Sequence, residues 1–356
     1  MIMATKRIHI KGLVQGVGFR PYIYRLANKH DLKGWVENRN DGVLIHVEGP
    51  QENMENFISN IEPESPEAAN IISIESKEIK ALGYDSFFIK KSENHSEEIT
   101  EVSPDIATCE ECLKDLKRQA HRIDYPFINC TNCGPRFTII KDLPYDRDKT
   151  TMDPFPMCPE CKKEYEDLLD RRFHAQPVAC NNCGPVYSMH IGDEVIYDLG
   201  KILSQSNKII NDGGIMAIKG LGGYHLACDA ANQEAVSTLR TLKNRDGKPF
   251  AVMFRNETVL NEYLDTDDEE MKKLCSWRKP IMILQNKTGG NDLARDVSVG
   301  FNTSGAMLPY MPFHHLLFEQ LDADVIVLTS GNISDEPIII SNETSLEVLS
   351  PITDAV

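Results

Sequence analysis

Cys130-Thr-Asn-Cys133-Gly-Pro135 recurs along the chain as Cys180-Asn-Asn-Cys183-Gly-Pro185, and this repeat organises the whole sequence. Each copy completes a set opened by another C-x-x-C pair, Cys109/Cys112 in the first and Cys158/Cys161 in the second. The two pairs of a set are separated by 17 residues in the first and 18 in the second. Two thiolates at C-x-x-C spacing can grip one tetrahedral ion, and two such pairs complete a four-cysteine zinc site. Eight of the ten cysteines are therefore assigned to two structural zincs. Neighbouring pairs sharing an ion is the default, and an interleaved arrangement also satisfies the spacing. Disulfides would need an oxidising compartment. Met1-Ile-Met-Ala-Thr-Lys-Arg7 lacks the apolar h-region of a secretory signal. No run of about 18 apolar residues interrupts the chain either. The expectation is a cytoplasmic protein with reduced thiols and no membrane partner.

A length of 356 residues suits two or three domains, and the formal charge of -16 argues against a nucleic-acid partner. A local basic pocket for a small anion is compatible with that total.

Upstream of the cysteines, Arg7-Ile-His-Ile-Lys11 alternates polar and apolar residues, as a half-buried strand does. It runs into Gly12-Leu-Val-Gln-Gly-Val-Gly-Phe-Arg20, after which Pro21, Ile23, Leu26 and Ala27 predict a helix ended before Gly34. Two strands joined at Asn40-Asp41-Gly42, a helix through Met54, Phe57, Ile58 and Ile61, and a last strand at Phe87–Lys90 complete the pattern. The order β-α-β-β-α-β is the ferredoxin-like split unit. In its first turn, Gly16 and Gly18 permit torsions that point the amides of Gln15, Gly16, Val17, Gly18 and Phe19 inward at a helix N-terminus. Arg20 can add a bidentate grip on phosphate oxygens.

The glycine-rich string with Arg20 and the later Trp35-Val-Glu-Asn38 resembles the acylphosphatase signature over this whole domain. The resemblance implies that Arg20 binds the phosphoryl group and that Asn38 orients the attacking water. The organisation read from the sequence is an acylphosphatase-like domain at 1–91, a linker at 92–108, a tandem zinc-finger domain at 109–195 and an α/β domain at 196–356. Prolines and aromatics between the zinc ligands predict loops docked on a neighbour. With four cysteines for each ion, His174 is read as a contact residue rather than a ligand.

The last part carries Lys243-Asn-Arg-Asp-Gly-Lys-Pro249 at a helix end and Thr329-Ser-Gly-Asn332. Lys243, Arg245 and Lys248 form a compact cationic group that suits either a solvated helix end or a triphosphate, with Ser330 and Asn332 as further ligands. Both strings resemble the nucleotide site of YrdC-type domains, which implies ATP with Mg2+ as substrate and adds Lys219 and His225 as contacts. Gly331 departs from the alanine of many stand-alone members. Cys228 and Cys275 are read as small buried residues, and the Asp265–Glu270 run as a helix start.

Taken together, the domain order and Arg172-Phe-His-Ala-Gln-Pro177 resemble the N-terminal half of the HypF carbamoyltransferases of nickel–iron hydrogenase maturation. The implied fold class is multi-domain α+β, its YrdC-like part incomplete after Val356. The implied chemistry is hydrolysis of carbamoyl phosphate and ATP-dependent carbamoyl adenylation, with the HypE protein as the later acceptor. Two further readings stay open: a threonylcarbamoyl-adenylate synthase serving tRNA modification, and a zinc-dependent interaction protein with inert flanking domains.

Overall fold

The computed structural model describes residues 3–92, 101–245, 247–332 and 336–356. The chain divides into two compact units, Met1–Arg122 with Ile128–Gly184, and Ile123–Phe127 with Pro185–Val356.

The first unit begins β1 (Met3–Leu13), α1 (Phe19–Lys29), β2 (Lys33–Arg39), β3 (Gly42–Pro50), α2 (Gln51–Asn60), β4 (Asn70–Glu78) and β5 (Phe87–Ile89). The sheet order is β4-β1-β3-β2-β5, antiparallel except for the parallel β2–β5 pair. Ile8, Ile10, Val43, Ile45 and Val47 are fully buried, as are Ile23 and Ala27 of α1 and Met54 and Phe57 of α2. Each large apolar side chain removed from water in this way contributes roughly 1.5–3 kcal/mol.

One detail differs from the sequence reading. The strand that closes the ferredoxin-like unit beside β1 is β4, and Phe87–Ile89 is an additional strand beside β2. The segment β4 is an edge strand with Ile72 exposed and a polar second half, so its alternation is weak. Helix α1 ends at Lys29, ahead of Gly34 as expected, and Asp31 adopts a left-handed φ of 52° just beyond it. Gly34 lies within β2, where a Cβ would strike the His46 carbonyl oxygen of β3 at 2.0 Å.

In the cysteine region, α3 (Glu110–Arg118) and α4 (Pro159–Glu166) are each preceded by the first ligand of a set, Cys109 and Cys158. The remainder is turns and short 3-10 segments. Of the stretch expected as a linker, residues 93–100 lie outside the described part. Ile106 exchanges backbone hydrogen bonds of 3.0 and 2.8 Å with Gly134.

The second unit holds β6 (Met189–Ile191), β7 (Glu194–Ile196), α5 (Leu199–Asn211), β8 (Met216–Gly220), β9 (Gly223–Asp229), α6 (Gln233–Leu242) and β10 (Ala251–Phe254). It continues with α7 (Glu257–Tyr263), β11 (Leu264–Asp265), α8 (Asp268–Cys275), β12 (Met282–Asn286), β13 (Thr303–Met307), α9 (Pro312–Gln320), β14 (Val325–Ser330) and α10 (Asn342–Val348). Seven strands form one sheet in the order β11-β12-β13-β10-β14-β9-β8. The acidic run does start a helix: Asp267 and Glu270 close a capping box on α8. Cys228 is buried in the core, as expected. Cys275 is exposed instead, because it ends α8 on the outside with its thiol 3.1 Å from the Glu257 carboxylate.

Candidate functional site

The glycine-rich turn is built as its composition requires. Gly16 and Gly18 have φ of 74° and 78°, which side-chain-bearing residues rarely adopt. Gly18 caps α1, so the turn delivers its amides to a helix N-terminus. Val17 and Phe19 are buried. Arg20, in the first turn of α1, and Asn38, on β2, are both nearly inaccessible to solvent. They converge on one atom: the Tyr145 carbonyl oxygen lies 3.1 Å from Arg20 Nη2 and 3.5 Å from Asn38 Nδ2. The buried Asn38 Oδ1 has no partner among the described residues. Gln15 plays a supporting part with its side chain, donating to Gly42 O at 3.0 Å and accepting from Tyr145 N at 3.1 Å.

Half of this pocket comes from the cysteine region. Asp146 Oδ1 pairs with Arg20 Nη2 at 2.8 Å. Arg136 sends all five of its N–H donors to carbonyl oxygens: those of Cys130, Thr131, Cys133 and Pro135, and that of Gly16 in the turn. His174, at a left-handed φ of 54°, also lines the pocket. Its pKa is lowered to about 4 by burial and then by the Arg20 charge, so the ring is neutral. Sequence reasoning missed Arg136, Tyr145 and Asp146. One signal existed for Arg136, since the repeat reads Cys-Gly-Pro-Arg136 in the first copy and Cys-Gly-Pro-Val186 in the second.

The thiols settle the zinc pairing in favour of neighbouring pairs: Cys109, Cys112, Cys130 and Cys133 cluster, as do Cys158, Cys161, Cys180 and Cys183. Three of the six sulfur–sulfur separations run from 3.5 to 3.8 Å in the first set and three from 3.6 to 3.8 Å in the second, with all of them within 4.8 Å. Four sulfurs each about 2.3 Å from a tetrahedral ion would stand about 3.8 Å apart. The donor sets therefore fit two Zn2+ ions.

The modules are interlocked by exchanged arginines. Arg122, which follows α3, crosses to the second module, donating to Ala179 O at 2.9 Å, Glu164 Oε2 at 2.5 Å and Cys161 Sγ at 3.2 Å. Arg172, at the equivalent place in the repeat, crosses back to Asn129 O at 3.2 Å and Asp115 Oδ2 at 2.8 Å. Its neighbour Arg171 lies 3.7 Å from Cys112 Sγ. Four thiolates on one Zn2+ carry a net double negative charge, and each module supplies cations for the other's. Both Arg122 and Arg172 are fully buried.

In the second unit, His225, Arg245, Lys248 and Ser330 line a cavity of about 470 Å³ together with Lys279 and Tyr310, which the sequence reading left unassigned. Arg245 donates to Thr329 Oγ1 at 3.1 Å and Pro249 O at 2.6 Å, with its guanidinium over the Phe250 ring. Lys243 Nζ reaches Ser330 O at 2.5 Å and Asn332 Oδ1 at 2.9 Å. Burial first, then the charges of Arg245 and Lys248, lower its pKa to about 8. Lys219 is not gathered into the same cluster, since its amine is tied to Asn342 Oδ1 at 2.5 Å. Gly331 has a steric reason: a Cβ there would lie 2.8 Å from the Tyr224 carbonyl oxygen on β9.

Known families match the chain in the same order. Residues 6–89 match the acylphosphatase family, 108–140 and 157–190 the HypF finger, and 208–356 the Sua5/YciO/YrdC family described as telomere recombination. The carbamoyltransferase HypF of Rhodobacter capsulatus is 40% identical over 353 residues, covering 99% of this chain and 46% of that protein. A crystal structure of full-length HypF in a phosphate- and nucleotide-bound form superposes with a TM-score of 0.93. It is 46% identical and covers 99% of this chain and 46% of that one. Over nearly its whole length the chain is similar to the carbamoyltransferases HypF. It spans about half the length of the relatives it matches. Within that family likeness, the first domain alone is 37% identical over 89 residues to an acylphosphatase of Thermotoga maritima, 98% of which it covers. Among the described residues no helix is long and apolar enough to cross a membrane.

Proposed function

We propose that the chain performs the first two steps of a cytoplasmic carbamoyl transfer. Water attacks the phosphorus of carbamoyl phosphate, releasing phosphate and carbamate. Arg20 and the Gln15–Phe19 amides stabilise the charge on the phosphoryl oxygens, and Asn38 Oδ1 accepts a hydrogen bond from the water. The carbamate oxygen then attacks the α-phosphorus of ATP, forming carbamoyl adenylate and expelling pyrophosphate. Lys243, Arg245 and Lys248 neutralise the triphosphate, with Mg2+ carried on its oxygens as part of the substrate. Ser330 and Asn332 hold the far edge of that site, and Lys219 and His225 contact the bound nucleotide or carbamate. In this reading the domains are the 1–91 hydrolase, the 109–195 finger pair joined to it by 92–108, and the 196–356 adenylating domain. Transfer to a cysteine of HypE, toward the cyanide ligands of the nickel–iron centre, belongs to a later step.

The observation that carries the reading is the meeting of Arg20 and Asn38 at the mouth of the glycine turn, within 3.5 Å of a shared atom. Full-length HypF was crystallised with phosphate and nucleotide, which supports two anion sites in such a chain. The test is exchange of labelled pyrophosphate into ATP. Exchange that depends on carbamoyl phosphate is expected. Exchange that depends instead on threonine and bicarbonate would favour a threonylcarbamoyl-adenylate synthase.

A further inference from the structure

The strand register orders the cavity of the second unit from end to end. Val252 of β10 and Met282 of β12 both stand level with Ala306 of β13, to which β10 is parallel and β12 antiparallel. Lys248 lies four residues before Val252 and Lys279 three residues before Met282, so these two lining lysines approach from opposite ends of the strands. Ser330 stands at the Lys248 end, because β14 runs antiparallel to β10 with Val327 level with Val252. Ala251, Ile281, Met307 and Leu328 add apolar side chains to the lining.

Lys279 is half-buried and holds a left-handed φ of 40°, which side-chain-bearing residues rarely adopt. Its backbone N–H donates to Ser276 O at 3.0 Å, which fixes the turn. Among the described residues its ammonium donates no hydrogen bond and enters no ion pair. Among them, too, no carboxylate lines the cavity, in a chain of formal charge -16. A partly desolvated cation without a partner is satisfied by an anionic ligand. The chemistry at the α-phosphorus says which anion. Attacking and leaving oxygens lie roughly in line across the transferred phosphorus. With the triphosphate on Arg245 and Lys248, pyrophosphate leaves toward their end, and the nucleophile stands on the far side, toward Lys279.

Resting on the adenylation reading above, we propose that Lys279 holds the carbamate anion in line with the α-phosphorus of ATP. One carbamate oxygen pairs with the ammonium and the other attacks. The new P–O bond forms as the bond to the α–β bridging oxygen breaks, and that electron pair leaves with pyrophosphate. No proton moves in this step, and Lys279 stays charged throughout. Glycine would accept the same turn without strain, so the lysine there serves its amine and not the backbone.

The experiment compares the zinc-loaded chain with its Lys279→Gly and Lys279→Arg variants. Glycine keeps the left-handed turn and removes the ammonium, whereas arginine keeps the charge. ATP binding is read by calorimetry, and exchange of labelled pyrophosphate into ATP is driven by ammonium carbamate, which bypasses the first site. Lys279→Gly should bind ATP within about twofold of wild type, which also shows that it is folded, and raise the KM for carbamate about tenfold. Lys279→Arg should recover most of that loss. A tenfold loss of ATP affinity in Lys279→Gly would make Lys279 a triphosphate ligand and overturn the assignment. An unchanged KM for carbamate would overturn it as well. A wild-type chain that binds ATP but shows no exchange with carbamate overturns the adenylation reading itself, and this inference with it.

Discussion

The two anion sites proposed for this chain are built on opposite principles. At the first, the cation is already committed: Arg20 is paired with Asp146 and a carbonyl, and the turn beneath it is pinned by Arg136. At the second, Lys243 and Arg245 are held by carbonyl, hydroxyl and amide oxygens, all uncharged. The first site is rigid and electrically near balance, which suits a small ligand chosen by shape and donor pattern. The second keeps an excess of positive charge beside an open cavity, which suits a polyphosphate whose own charge supplies the balance. Selectivity and affinity are thus divided between the two.

Removing zinc breaks the comparison most severely. Structural zinc supplies about 10–16 kcal/mol of folding energy to such modules, and Arg136, Tyr145 and Asp146 all lie between the ligands of the two sets. Stripping the metal with a chelator should abolish phosphate release from carbamoyl phosphate. ATP binding, measured by calorimetry on the same sample, should change less than about threefold, an energy near RT. Equal loss of both would show that the first site is no more finger-dependent than the second.

A smaller effect sharpens the electrostatic half. Lys243 is protonated below about pH 8 and neutral above it, its value lowered by burial and by neighbouring cations. A bound triphosphate favours the charged form, so ATP affinity should weaken as pH rises through 8. The change should be a few-fold, the usual size for one partly screened charge of about 1 kcal/mol. A site whose cation is an arginine should not follow that curve through its protein part, since a guanidinium stays charged in proteins. Titrations of ATP and of inorganic phosphate at pH 7 and pH 9 check the contrast.

What could be read from the sequence was what lies close along it. The glycine turn with Arg20 and the eight thiols are fixed by spacings of a few residues, and local geometry dictates their use. The half of the first pocket that comes from the cysteine region could not be read, because Gly16 and Arg136 meet across 120 residues and Gln15 and Tyr145 across 130. Strand β4 escaped because an edge strand with one exposed isoleucine carries little alternation. Cys275 was misplaced because burial at a helix end depends on which face the tertiary packing covers. Arg122 and Arg172 occupy equivalent places in the repeat, a signal that showed duplication without showing that the side chains cross over.

The central claim is that the turn and Arg20 carry the phosphoryl chemistry, and phosphate release by Arg20→Ala tests it most directly. Loss of an arginine that meets the charge of phosphoryl transfer should slow release from carbamoyl phosphate by about a thousandfold, with zinc content and ATP binding retained. A variant that releases phosphate within about twofold of the wild-type rate, well under 1 kcal/mol in barrier, would contradict the account.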